Sequence, residues 1–528
     1  MERRKFRIWL PLLLSISMVI GMYLGYKMRD GMPTRSFFYM ERHKPIQEII
    51  DLVKSKYVDD VDESVLGDTA ITAVLAKLDP HSYYLPARSV EQSNEELAGS
   101  FYGIGIEFNL FEDTLNVTNV LRDGPGFKAG LQIGDKFLQA NDSVLTGKNK
   151  GGESIRKILK GNKGTTLNLL ILRKDKKINI HVSRDYIPVT SVDAAYMVDS
   201  SIGYIRLNKF SQKTYREFMQ SLEKLKKAGL KKLILDLRGN GGGVLDEAVE
   251  IADEFLEGDR LITYTEGKHF PRKEYRSRRQ GQFEKEPLVI LADEASASAS
   301  EILLGALQDW DRASIIGRRT FGKGLVQEQF DLSDNSAVRL TVSRYYTPLG
   351  RSIQRSYAAG SKAYYDEIPN RLMTGDNIAD SILHPKAKKY RTKNGKLVYE
   401  SGGITPDYYI AEDTARLGKI ISKIFSKGLL NNFGYKYVVD HALLLEQYKT
   451  PADFAKSFFI NAEGWNYFLL MAKKDSTDVT EINNEERTFL YKTLKLAIAQ
   501  QLWRHDGYFI VFNKDDKGVM KAIEVLSK

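Results

Sequence analysis

From Ser201 to Gly317 the chain alternates short apolar runs with amphipathic helical stripes, a pattern that few folds accept. Ser201 to Leu207 and Lys232 to Leu237 read as strands, and Phe218 to Lys226 as an amphipathic helix. Leu245 to Leu256 is a second helix, with Leu245, Ala248, Val249, Ala252, Phe255 and Leu256 apolar. Leu288 to Ala292 is a continuous apolar run, the mark of a buried strand. Glu301 to Trp310 follows as a helix with Ile302, Leu303, Ala306, Leu307 and Trp310 on its stripe, and Ala313 to Gly317 is another short strand. The alternation places this part of the chain in the α/β class.

Two loops in this pattern can carry chemistry. The strand ending at Leu237 runs into Arg238-Gly239-Asn240-Gly241-Gly242-Gly243 and then a helix, an anion-binding corner. A dinucleotide fingerprint would need glycine at Val244, so that reading fails. The strand ending at Ala292 runs into Asp293-Glu294-Ala295-Ser296-Ala297-Ser298-Ala299-Ser300. Backbone N–H groups are unpaired at the following helix start and favour an anion. That suits a nucleophilic serine whose substrate develops an oxyanion, while the plain structural alternative is Ser298 or Ser300 as an N-cap. Lys323 sits between Gly322 and Gly324 beside Phe321. Apolar surroundings can lower a lysine pKa enough to make it a base; the alternative is an exposed loop lysine in a basic chain.

Ser296-Ala297-Ser298-Ala299-Ser300-Glu301, then Ala306-Leu307-Gln308-Asp309, then Thr320-Phe321-Gly322-Lys323-Gly324-Leu325-Val326-Gln327 agree in order and spacing with one family. The chain resembles the carboxyl-terminal processing (tail-specific) serine peptidases from about Ile46 to Ile410. The resemblance implies Ser298 as nucleophile, Lys323 as general base and Gln327 as the residue that orients the lysine. It also implies oxyanion-hole N–H groups from Gly242 or Gly243 together with Ala299. The implied core is of the crotonase/ClpP-like α/β kind, over 186–410, and needs no metal or other cofactor. Thr347 to Gln354 and Gly403 to Asp407 also match, with 355–401 between them as an insertion without clear periodicity. Asp309 belongs to the pattern, but on a straight helix it would lie ~16 Å from Ser298 at ~1.5 Å per residue, so it reads as structural.

Ahead of the core, Phe101-Tyr102-Gly103-Ile104-Gly105-Ile106 opens a second unit. Strand-like runs at Thr114 to Val120, Lys136 to Ala140 and Thr166 to Leu172 follow, with Gly124 to Asp135 as a glycine-rich turn and Glu153 to Leu159 as a helix. This resembles a PDZ domain over 97–185, inserted before the catalytic body. Such domains add a peptide strand to a sheet edge and hold its terminal carboxylate on loop N–H groups. By resemblance that loop is Tyr102-Gly103-Ile104-Gly105. The implied partners are protein or peptide substrates with accessible C-termini, with a homo-oligomer also possible.

Ile8 to Tyr26 carries no charged residue and follows Arg3, Arg4, Lys5 and Arg7. As a helix at ~1.5 Å per residue it nearly spans a ~30 Å hydrocarbon core. The sequence therefore predicts a transmembrane signal anchor over 8–26, placed in the inner membrane with the catalytic part on the periplasmic side. A cleaved signal peptide is the alternative, although no small-residue cleavage site ends the run. Residues 44–96 read as a helical segment in which His81 is a loop hydrogen-bonder, and 411–528 as a helical C-terminal extension. In that extension Leu490, Leu494, Ala497, Ile498 and Leu502 form one stripe. The absence of cysteine excludes disulfides and thiol catalysis. Part of the net charge of +10 lies at the N-terminus and the rest is scattered or sits in loops such as Arg272 to Arg279 and Lys386 to Lys396, where aromatics do not interleave in an RNA-binding pattern, which argues against nucleic acid as a partner.

Three rival functions are weighed against the peptidase. Gly317 to Lys323 matches most of a phosphate-binding loop, but Gly324 stands where Ser or Thr should reach magnesium, and a strand pattern follows. A Ser-His-Asp hydrolase lacks its G-x-S-x-G elbow, and between Ser201 and Gln327 offers only His269. A catalytically inert PDZ scaffold is opposed by the joint presence of Ser298, Lys323 and Gln327.

Overall fold

The computed structural model describes residues 45–111, 113–147, 151–374, 387–400, 402–411, 418–479 and 481–528, with residues 9, 11, 14–24 and 27 near the N-terminus. The chain divides into two compact units, Met1–Val74 and Leu75–Lys528. The first holds the helix Pro45–Lys56 and most of Glu63–Leu75.

The membrane expectation is corrected. Among the described residues no helix is long and apolar enough to cross a membrane, so the anchor and the inner-membrane placement resting on it are not supported. Part of the expected span, including Ile8, Leu10, Leu12, Leu13, Gly25 and Tyr26, lies outside the described residues.

In the second unit a six-stranded sheet forms the centre of the α/β body. Its strands run Val192–Met197, Ile202–Leu207, Lys232–Asp236, Leu288–Ala292, Ser314–Gly317 and Tyr408–Tyr409, in that spatial order. The first pair is antiparallel and the rest are parallel. Both faces are covered, which is why these strands read as continuous apolar runs. Leu233, Leu235 and Ile290 pack with Phe218, Ile251 and Leu303 from three helices on one face. Ile234, Val289 and Leu291 point the other way, as period-2 side chains must, and meet Val519, Ala522 and Leu526.

Those last residues belong to the helix Lys517–Ser527, at the far end of the expected C-terminal extension. The rest of that extension is a helical bundle around Phe433, Phe454, Phe468, Leu490 and Leu494. Of the expected stripe, Leu490, Leu494 and Ile498 are fully buried, while Ala497 and Leu502 are half-buried. The helix Asn484–Phe512 breaks at Trp503 and Arg504, where φ is −131° and +59°, and its second half turns onto the core. There Asp506 accepts a hydrogen bond from Ala195 N–H and His505 pairs with Asp193.

A second sheet carries Tyr83–Leu85, Ala337–Tyr346, Leu261–Glu266 and Lys273–Arg276, with Leu325–Asp331 paired to Ala337–Tyr346. The PDZ unit is a sheet ordered Ile106–Phe111, Thr114–Val120, Lys136–Ala140, Thr166–Arg173, Lys176–Ser183, so Ile106–Phe111 is an edge strand. Its core gathers Leu115, Val117, Phe137, Ile155, Leu167 and Ile171.

The 355–401 insertion is more ordered than its sequence suggests. It forms a helix Ser361–Thr374 and a hairpin Lys389–Arg391/Leu397–Tyr399, although 375–386 and Ser401 lie outside the described residues. Pro369 inside the helix obscures its pattern, since proline removes a backbone donor.

Candidate active site

Ser298 is the residue from which the helix Ala299–Asp309 starts, and its backbone is unusual: φ +54°, ψ −114°. A non-glycine residue there costs about 1–3 kcal/mol and persists only when its surroundings over-determine it. They do so here. Ser298 N–H donates to Glu301 Oε2 at 2.9 Å, and its carbonyl accepts from Glu301 N–H, Ile302 N–H and the Tyr345 hydroxyl. The neighbouring serines are occupied elsewhere. Ser296 Oγ donates to Leu237 O and Ser300 Oγ to Asn240 O, each at 2.9 Å, which fastens the serine loop to the glycine loop. Of the three, Ser298 is the one that lines a cavity of about 610 Å³.

Lys323 lines the same cavity. It follows the strand Ser314–Gly317, on a loop where Gly322 has φ +84° and a Cβ would stand 2.8 Å from Arg355 Cγ. Lys323 Nζ donates to Gln327 Oε1 at 2.8 Å. Burial, reinforced by the nearby Arg339 charge, holds the lysine pKa below its ordinary 10.5 against the opposite pull of Glu301 and Asp79. The strand Leu325–Asp331 follows at once, so this loop does not open a helix as a phosphate-binding loop must. Gln327 Nε2 donates to the His81 carbonyl. His81 itself lies on the cavity wall, and burial, with Lys323 nearby, pushes its pKa down to about 4, so the ring is neutral near pH 7.

Gly242 and Gly243 form the facing wall. Gly242 N–H donates to Asn240 Oδ1 at 2.9 Å. Gly243 N–H and Ala299 N–H have no hydrogen-bond partner among the described residues. Both glycines have positive φ, +95° and +141°, and both are packed against neighbours: a Cβ on Gly242 would lie 2.8 Å from Ser298 Cβ, and one on Gly243 2.0 Å from Phe210 O. Asp293 ties the corner together, accepting from Gly239, Ala295 and Ser296 N–H groups.

Two residues the motif reasoning passed over connect the serine to the lysine. Glu301 is fully buried and accepts four hydrogen bonds: Ser298 N–H at 2.9 Å, Lys323 N–H at 2.9 Å, Gly322 N–H at 2.7 Å and Thr320 Oγ1 at 2.5 Å. The Tyr345 hydroxyl, buried between the two segments, is shared by the carbonyls of Ser298 and Lys323. Glu301 carries a sequence signal, since serine followed three residues later by glutamate is a capping-box spacing. Tyr345 carries none. Asp309 is structural as expected, accepting from Arg351 and Leu349. His269 is not on the cavity wall.

Burial pushes the Glu301 carboxyl from 4.5 up to about 7, against the pull of its four donors. An acid raised in the fold contributes stability below its unfolded value, and that contribution is lost as pH rises through about 7. The melting temperature of the wild type is therefore expected to fall relative to Glu301→Gln between about pH 5 and about pH 8. Calorimetry at several pH values measures this; a difference between the two proteins that does not change with pH would contradict it.

The loop Tyr102–Gly105 stands apart from this cavity wall. Tyr102 and Gly103 pair with Tyr186 and Asp185, and Gly105 turns the chain at φ +69° into the edge strand Ile106–Phe111. Ile104 O and Gly105 O accept from Gly126 and Leu121 N–H groups. Among the described residues no group of three or more His, Asp or Glu side chains could hold a metal ion.

The family model described as peptidase family S41 matches residues 201–360, and the PDZ domain model matches 103–183. A family of unknown function, DUF8443, matches 420–504. A carboxy-terminal-processing protease of Bartonella bacilliformis is 36% identical over 316 residues, which is 58% of this chain and 71% of that protein. A probable CtpA-like serine protease of Staphylococcus epidermidis is 34% identical over 312 residues, 59% of this chain and 63% of that protein. The chain thus spans less than two thirds of the staphylococcal relative. Among solved structures, a photosystem II D1 C-terminal processing protease aligns over 71% of this chain and 88% of its own, at 24% identity and a TM-score of 0.35. With a serine-peptidase core, a PDZ domain and helical parts at both ends, the chain belongs to the carboxy-terminal-processing serine proteases of peptidase family S41.

Proposed function

We propose that this chain is an endopeptidase that works through a Ser298–Lys323 dyad on a crotonase/ClpP-like core. Ser298 Oγ attacks the scissile carbonyl carbon, and neutral Lys323 Nζ takes the hydroxyl proton. The carbonyl electrons move onto oxygen, where Gly243 N–H and Ala299 N–H hold the anion. Collapse breaks the C–N bond, and the Lys323 ammonium returns its proton to the leaving amine. Lys323 then deprotonates a water that attacks the acyl carbon; collapse breaks the carbon–Oγ bond, and the Lys323 ammonium returns the proton to Ser298 Oγ. Gln327 keeps the lysine aimed. Gly242 shapes the loop rather than donating, because its N–H is engaged by Asn240. The observation that carries this reading is one cavity that gathers Ser298, Lys323, Gln327, Gly243 and Ala299 around a lysine held below its ordinary pKa.

The PDZ unit, 97–185, supplies selectivity for protein or peptide substrates with accessible C-termini. The terminal carboxylate meets the Tyr102-Gly103-Ile104-Gly105 loop and the peptide strand adds to the edge Ile106–Phe111. Residues 186–410, with the 355–401 insertion, carry out cleavage, and 411–528 supports them. The test uses one unfolded substrate with either an apolar C-terminal tail or the same tail ending in Asp-Asp. The apolar tail is expected to be cleaved at least about tenfold faster at low substrate concentration, the size of one lost anchoring interaction. Equal rates would defeat C-terminal recognition.

A further inference from the structure

Gln327 lies between two groups, of which the second accepts only one end of an amide. Lys323 Nζ is a donor towards Gln327 Oε1, and the His81 carbonyl can only accept, from Gln327 Nε2. The amide therefore has one orientation as long as the His81 carbonyl stays where it is. That carbonyl belongs to the turn 79–82, which Asp79 closes by accepting from His81 N–H and Ser82 N–H. Ser82 Oγ in turn accepts from Thr341 N–H on the strand beside Gln327.

The ring of His81 is held from an unexpected side. Its Nε2 lies 2.8 Å from the hydroxyl of Tyr364, on the helix Ser361–Thr374 of the insertion. Tyr364 is buried, packs edge-on against both His81 and Phe321, and has the Arg355 guanidinium 4.0 Å from its ring centroid. Gln354 Nε2 donates to the Tyr364 hydroxyl at 3.4 Å, which leaves the tyrosine proton for a neutral His81 nitrogen. Tyr365, the next residue, donates to Pro80 O of the same turn. The insertion thus grips the turn that fixes Gln327.

We propose that Tyr364 is a positioning residue for the lysine base, acting through the His81 turn on the Gln327 amide. Without its hydroxyl the turn loosens and the amide can rotate away from Lys323. The ammonium form of Lys323 then loses an acceptor, while the charged groups that face it, Arg339, Glu301 and Asp79, stay in place. The lysine deprotonates more readily but is aimed less well.

The experiment measures the pH dependence of kcat and KM for Tyr364→Phe, alone and combined with Gln327→Ala. In the wild-type background kcat is expected to fall about tenfold, KM to change less than about twofold, and the acid limb of kcat to move to lower pH. In the Gln327→Ala background the further loss is expected to be under about twofold, since the group acted upon is gone. His81→Phe removes the same hydrogen bond from its other end and should behave alike, should Tyr364→Phe not fold. Equal losses in both backgrounds, an unchanged kcat, or a lower kcat with an unmoved acid limb would each overturn the proposal. It rests on the serine–lysine reading, and the two fail differently: an active Ser298→Ala protein would end that reading, whereas these outcomes would leave it standing.

Discussion

Lys323→Arg is expected to lose about 10³-fold or more in kcat/KM, because a guanidinium does not deprotonate in a protein and cannot take the Ser298 proton. Lys323→Ala and Ser298→Ala should fall as far. None of the three should disturb the fold or the binding of a C-terminal peptide by the PDZ unit, whose core is built from other residues. Wild-type activity should rise with pH as Lys323 deprotonates, with its midpoint below the ordinary lysine value of 10.5. The same shift affects stability with a definite sign. A lysine depressed in the fold contributes stability above its unfolded value, and this is lost as pH falls through the folded value. Lys323→Met should therefore melt above wild type at neutral pH, with the advantage shrinking towards about pH 10, although it too should be inactive. Cleavage by Lys323→Arg at a near wild-type rate would place the base elsewhere.

Gly242→Ala is expected to lower kcat by about 10²–10³-fold, the scale of a lost oxyanion-hole donor, although Gly242 N–H is engaged by Asn240 Oδ1. The reason is steric. At φ +95° a Cβ on Gly242 would stand 2.6 Å from Ala297 O, 2.8 Å from Ser298 Cβ and 2.9 Å from Ala299 N. The first and third of these are backbone atoms on the two sides of Ser298 and cannot rotate away. The glycine loop must lift off the serine loop, carrying Gly243 with it. The Ser296 and Ser300 bonds to Leu237 and Asn240 carbonyls resist that motion, so melting temperature should also drop. Single-turnover kinetics separate the two effects, since a loss confined to stability disappears at low temperature while a displaced oxyanion hole does not. A folded Gly242→Ala protein with wild-type acylation would rule out this role for the loop.

Much of the site was legible because it is local. Alternating strands and helices set the class, the serine loop and glycine loop fall where α/β proteins bind anions, and Lys323 to Gln327 is a short run whose spacing on one strand start is enough to bring amide and amine together. Even Glu301 was within reach, since its bond to Ser298 N–H spans three residues of one helical turn.

What the sequence determined by itself, then, is each element with its own period and its own turn chemistry. The tertiary structure decided which elements meet. Gln327 depends on a carbonyl at His81, 246 residues away in the chain, and His81 on a tyrosine another 283 residues on from it, in a helix whose proline hides its pattern. Apolar spacing over Lys517–Ser527 says that one face is buried but not that it is buried on the far side of the catalytic sheet, against Ile234 and Val289. The apolar run at 8–26 satisfied a rule of length and charge, and among the described residues no helix long enough to cross a membrane formed from it. Periodicity records that a side chain leaves water; the identity of the partner is set by the shape the whole chain closes into, because burial is driven by area and not by the sequence of the surface that supplies it.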